Sequence, residues 1–406
     1  MSDIRGITGE NKSLDFSPLR VGNGSYFPKP ALAADLDKGE AYSGPVPTAA
    51  PVLKPPIESR DSKVDLIRGM LVESEATRNS AIAGQVTSDL SAYPVGALQL
   101  VSDAGYKIHV VGKNQSLLDT GIFKEAPRKG LAPVKVLVGP GDYPGVFLES
   151  APGKVKDIRT GQELPLPKGL REAQGLRGFA DSEGVQYLEY PGDKAAYQGR
   201  IFRADQMAEV MDWDVGRGGQ EGARTLGLTL GDEKAILISE EAVPDPSAKT
   251  GHYRVPIHEF AHALDFCLRD ENVMEKQFGE NGIATGEFHR VINKAIELQI
   301  EAGGNLVYQP GEGPSGVPMF INEHSARPEN NSWHYRVEHL ADCVEAMLTS
   351  SSPDSLRLNS QDRSREDLMA ADRPMYAYLN LLFGKLDQNT VPSREELLQF
   401  VKKGWQ

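Results

Sequence analysis

The chain has 406 residues, 25% of them charged and 39% apolar, enough for a sizeable core in one elaborated domain or two. Its formal net charge of −13, with no long basic stretch, argues against a nucleic-acid partner or an anionic membrane surface. No apolar run approaches the roughly 18 residues that a spanning helix needs, and two cysteines, Cys267 and Cys343, exclude a disulfide-built scaffold.

Residues 1–60 read as an unpacked N-terminal tail, with Gly, Ser and Asn early and then the Pro/Ala-rich run Ala41–Pro56. Met1–Arg20 lacks the apolar run of a Sec signal. The expectation is export without such a signal, with a host cell as a destination. The alternative is the bacterial cytoplasm, with the tail a linker.

The spacing of Val64, Ile67, Met70 and Leu71 predicts an amphipathic helix from Asp61 to about Ile82. Gly96–Lys113 reads as the end of a helix, a turn at Gly105 and a strand, Lys107–Val111. Short β-rich runs follow at Val134–Val138, Gly145–Glu149 and Val185–Tyr190, separated by Gly/Pro turns. Gly216–Gly222 reads as a flexible loop, since it does not join a strand to a helix in the phosphate-binding manner. Lys234–Ser239 is a predicted strand and Val255–Arg269 a helix. Further helices are expected within Phe278–Gly303 and at Glu338–Leu348 and Pro374–Leu386, with Asn305–Asn331 a connection. A terminal helix opens at Ser393, where Glu396 three residues on completes a capping box.

Within Val255–Arg269 stands His258-Glu259-Phe260-Ala261-His262. Residues four apart share a helix face, so both imidazoles can reach one ion, and borderline imidazole nitrogen suits tetrahedral zinc. Glu259 projects beside the pair, placed to take a proton from water. Ile257, Phe260, Ala261, Leu264 and Leu268 form the stripe that buries the helix, whereas His258, His262 and Asp265 fall on a polar one, with Asp265 expected to support the metal ligands. With 8 histidines in the chain, chance would produce HExxH about once per 100 such sequences.

A catalytic zinc site needs a third protein ligand. Glu338 is the best source, and Asp342, four residues on, is placed to orient a ligand histidine through its free N–H. Leu340, Ala341, Val344 and Met347 make this helix substantially buried, and buried acids need partners. Asp342 itself, His339, His334 and Glu345 are rival third ligands.

HEFAHALDF followed by EHLADCVEAML resembles the anthrax lethal-factor-like zinc peptidases, within the gluzincin class. The likeness extends over about residues 90–390, through LQLVSDAGYKIHVVG before the motif and RPMYAYLNLLF after it. It implies an α+β, zincin-like catalytic domain, with a mixed sheet packed on the motif helix and the second ligand helix across the cleft. Residues 61–233 would form its N-terminal part with β-rich insertions, 234–390 the zinc core and 391–406 a C-terminal helix. The resemblance further implies an endopeptidase that grips an extended protein substrate on an edge strand, for which Lys234–Ser239 is the candidate. Such peptidases carry a tyrosine seven residues before the ligand glutamate; here that position is Asn331. Tyr335 and His334 are the candidate oxyanion donors in its place. A zinc-binding pseudoenzyme acting as a protein-binding module is the alternative. Tyr106, His109, Trp213 and Trp333 could line a cleft, with core packing the commoner role for such residues.

Overall fold

The computed structural model describes residues 60–403 apart from 73, 75–80, 140–144, 160, 193, 216–225, 243–253, 302–331, 349–364 and 372. The expected tail, the Gly216–Gly222 loop, the Asn305–Asn331 connection and Asn331 itself thus lie outside the described residues. So do the side chains of Trp333, His334 and Tyr335.

The described chain is mixed α+β. Helices α1 (Arg60–Met70), α2 (Ala81–Leu90) and α3 (Val95–Asp103) precede strand β1 (Lys107–Val111). The single helix expected over 61–82 is instead cut at Leu71, which leaves the helix to form a parallel bridge with Ile108. Pro94 opens α3, whose residues from Val95 to Val101 are all buried. Gly105, at φ +90°, makes the left-handed turn into β1 that a side chain would strain. Helix, turn and strand therefore stand where the sequence puts them.

The chain forms two compact units, Val111–Glu233 with Ser239–Glu241 in one and the rest of the described residues in the other. The first is built mainly on antiparallel strands. These are β2 (Ala132–Val134), β3 (Val136–Val138), β4 (Val146–Ala151), β5 (Lys154–Asp157), β6 (Glu163–Pro165), β7 (Arg171–Glu172), β8 (Gly178–Ala180), β9 (Gln186–Glu189) and β10 (Ile201–Arg203). They form a four-stranded sheet, β10-β9-β8-β2, and a five-stranded one, β6-β5-β4-β3-β7. Alternating burial along β4 and β9 gives each strand one apolar face, and α4 (Ala204–Val215) packs on β9. Trp213 is core here, and Ser116 and Tyr190 hold the partly buried Asp214 carboxylate.

Strand β11 (Gly227–Leu230) is followed by β12 (Ala235–Ser239), the strand expected to be a substrate-binding edge. That expectation is overturned. β12 is the middle strand of a sheet ordered β1-β12-β11, so both its edges carry backbone partners. All five of its residues are buried. The continuous apolar run AILIS, with no polar alternation, is the pattern of a strand enclosed on both faces.

The second unit is a helical assembly around α5 (Val255–Arg269), which carries the HExxH sequence. Helices α6 (Glu271–Phe278), α7 (Glu280–Glu301), α8 (Ser332–Leu348), α9 (Arg365–Ala371), α10 (Arg373–Leu386) and α11 (Arg394–Lys403) follow. Helix α5 packs foremost against α8 and then against α7, α2, α3 and α6. Eleven of its residues are buried, so the helix needs cover on several sides. Ile257, Phe260, Ala261, Leu264 and Leu268 are core as expected, and so are Cys267 and Cys343, both free thiols. Burial pushes the Cys267 thiol up to about 12, so it is inert.

Tyr93, fully buried between α2 and α3, stacks on Phe260 at 4.6 Å and donates its hydroxyl to the Ile257 carbonyl at 2.6 Å. Ser393 and Glu396 form the anticipated capping box. Backbones of α3 and α10 meet directly, because a Cβ on Gly96 would stand 2.4 Å from the Leu386 carbonyl oxygen. Gly96→Ala is therefore expected to cost about 1–3 kcal/mol. Urea denaturation with an unchanged midpoint would show that the helices have room to separate.

Candidate metal centre

Helix α5 presents His258 and His262 one turn apart toward α8, and α8 returns Glu338. Pro256 sits in the first turn, where its missing N–H has no intrahelical role. His258 Nε2 lies 3.1 Å from Glu338 Oε2 and 3.2 Å from His262 Nε2, and His262 Nε2 lies 3.7 Å from Glu338 Oε1. The three side chains retain 12–14% of their exposure, enclosed but reachable from solvent. Two atoms each about 2.0–2.1 Å from a tetrahedral ion stand about 3.4 Å apart. The observed separations bracket that edge, so the three donors could hold one metal ion.

The other nitrogen of His258, Nδ1, stands 3.6 Å from Asp342 Oδ1 and 3.6 Å from Glu345 Oε2. A proton on Nδ1 faces these carboxylates and leaves the Nε2 lone pair directed at the cluster, which is the ligating tautomer. Asp342 thus stands where an orienting acid was expected. Burial alone would depress the basicity of His258, but Glu338 and Glu345, with Asp342 behind them, raise it well above the ordinary histidine value. Glu259, between the two imidazoles in sequence, is buried at 8% exposure.

No family model matches the chain, and neither the curated proteins nor the solved structures include a match. The site is therefore read from its own atoms.

His334 and Tyr335 lie in the first turn of α8, four and three residues before Glu338. His339, a rival ligand, is instead buried with its Nε2 3.7 Å from Cys343 Sγ. Tyr106 is fully buried with Lys234 over its ring, and His109 is half-buried, its basicity lowered by burial.

Asp265, expected to support the metal ligands, is tied into a network that sequence reasoning missed. Its Oδ1 accepts from His289 Nε2 at 2.8 Å and from Asn293 Nδ2 at 3.1 Å, and its Oδ2 pairs with Arg269 at 2.8 Å. His289 Nδ1 lies 2.7 Å from the Tyr378 hydroxyl. A neutral imidazole satisfies both contacts, donating to Asp265 and accepting from Tyr378. Asp265, His289, Asn293 and Tyr378 are all at most 3% exposed, and join α5, α7 and α10. The available signal was His289 and Asn293, four residues apart and each directly after an apolar residue, Phe288 or Ile292, so that polar groups adjoin an apolar stripe.

Two outcomes follow from these geometries. A histidine with a raised folded-state pKa adds stability that is complete below about pH 6.5 and is lost as pH rises through the folded value. Metal binding must displace that proton and so strengthens over the same rise. The melting-temperature gap between metal-loaded and chelated protein should widen from about pH 6 to pH 8, and a gap that narrows would exclude His258 as a ligand. Separately, Asp265→Ala should cost about 3–5 kcal/mol in urea unfolding, because it strands a half-buried arginine and two buried donors. A loss under about 1 kcal/mol would show that the network contributes little.

Proposed function

We propose that the chain is a zinc-dependent endopeptidase of the lethal-factor-like, zincin kind, acting on a protein substrate. The observation that carries this reading is the convergence of His258, His262 and Glu338, from segments 80 residues apart, onto one tetrahedral edge set. Two imidazoles and one carboxylate are a catalytic zinc set, since they leave a fourth position for water or substrate. Zinc held there supplies Lewis acidity, lowering the pKa of a water and polarising a carbonyl.

The remaining work falls to side chains. Glu259 accepts the proton of the attacking water and passes it to the departing amine. Asp342 holds the Nδ1 proton of His258, so that this imidazole keeps one tautomer throughout. Tyr335 and His334, one helical turn before Glu338, are assigned to the developing oxyanion, where one donor is worth about 3 kcal/mol. The backbone that docks the substrate is not β12, whose edges are already paired.

Glu259→Gln preserves shape and removes the base. Zinc content and melting temperature should be unchanged, while cleavage of an unfolded protein falls about a hundred- to ten-thousandfold. Identification of new N-termini by mass spectrometry reads both activity and sequence preference. A fully active variant would refute the assigned base, and wild-type protein that holds zinc but cuts nothing would point to a binding module.

A further inference from the structure

Helix α8 carries a further acid that the three-ligand set does not account for. Glu345 stands seven residues, two helical turns, beyond Glu338, and its carboxylate reaches the start of α5. Oε1 accepts the backbone N–H of Arg254 at 2.8 Å, while Oε2 stands 3.6 Å from His258 Nδ1. Arg254 is the N-cap of α5 and provides no side-chain cap of its own. The first N–H groups of a helix lack intrahelical acceptors and carry its positive end, so an acid placed there answers both needs. Arg254 and His258 are four residues apart, and one carboxylate therefore spans the first turn of the helix from its cap to its first ligand. Behind it, the Arg254 guanidinium lies 4.0 Å from Asp89, a buried acid whose own carboxyl burial holds above the usual range despite a hydrogen bond from Gln85. Arg254 thus supplies positive charge among Asp89, Glu345 and Asp342.

We propose that Glu345 is a positioning residue for the metal centre, fixing His258 to the N-cap of its own helix and keeping the Nε2 lone pair directed at His262 and Glu338. The inference rests on the metal reading above and extends it to a residue with no ligating role. Asp342 approaches the same Nδ1 at 3.6 Å and shares in holding its proton. Glu345 differs because it holds backbone and ring together. A slide of α5 along α8 would break the N-cap contact and the imidazole contact at once. Placement of the first ligand is in this way coupled to where the helix begins.

Glu345→Gln in the full chain tests this. The amide keeps the size of the carboxylate but has one acceptor end, so either Arg254 N–H or His258 Nδ1–H comes to face a donor. Zinc affinity, measured by chelator competition, should weaken about ten- to a hundredfold. The visible absorption of the cobalt-loaded protein should shift, and the metal-free melting temperature should stay within about 2 °C of wild type. Unchanged zinc affinity would overturn the proposal, as would an affinity loss matched by an equal loss of metal-free stability. Should that variant fail to fold, Glu345→Asp serves instead. Its shorter carboxylate keeps the charge but cannot reach both Arg254 N–H and His258 Nδ1, so zinc affinity should again weaken about ten- to a hundredfold, and unchanged affinity would overturn the proposal. Wild-type protein that binds no zinc would instead remove the metal reading beneath, a result distinct from tight binding by the wild type and Glu345→Gln alike.

Discussion

Two imidazole nitrogens and a carboxylate face one another within 3.1–3.7 Å across the packed crossing of α5 and α8. Such a group cannot be enclosed cheaply. An imidazole pair offers at most one proton between its facing nitrogens, and a carboxylate beside it needs a cation or donors. The carboxylates around His258 raise its basicity well above the ordinary histidine value, and a metal ion bound there would compete with a proton for the imidazole. The rest of the helical unit follows from the need to bring these two helices together and keep their polar faces from solvent.

The polar stripe of α5 has two distinct fates. His258 and His262, in its first half, face α8 and form the candidate metal centre. Asp265, two turns beyond His258, is enclosed by α7 and α10 and anchors a buried network with His289, Asn293, Arg269 and Tyr378. The second network gives the motif helix a fixed rotation, because turning α5 about its axis would strand several buried hydrogen bonds at once. The apolar face is held independently by the Tyr93 hydroxyl on Ile257 and its ring on Phe260. A ligand pair needs this kind of rigid support, since metal geometry tolerates only small displacements.

Acidic groups recur around the N-terminal end of α5. Asp89, Asp342 and Glu345 gather there with Arg254, close to the unsatisfied amides at the helix start. Negative charge is favourable at that end of a helix, and it also raises the basicity of the first histidine. The same charges therefore make His258 a better proton acceptor, and a metal ion held there would have to compete with that proton.

The HExxH spacing, the apolar stripe beside it and the later acidic pair Glu338 and Asp342 were legible in the sequence because each is a local pattern with helical period. The turn at Gly105, the strands around it and the capping box at Ser393 were legible for the same reason. Local chemistry cannot state which edges a strand leaves free. AILIS in β12 identifies an enclosed strand, but only pairing with β1 and β11 shows that neither edge is open. Nor could spacing decide the partners of Asp265, which shares the helix face of His258 but meets residues 24 and 28 positions away. Glu345 entered as one rival ligand among four, and its reach to the Arg254 amide depends on how α8 crosses α5. Periodicity fixes which residues share a face of one helix, whereas the packing of distant helices decides which of those faces meet.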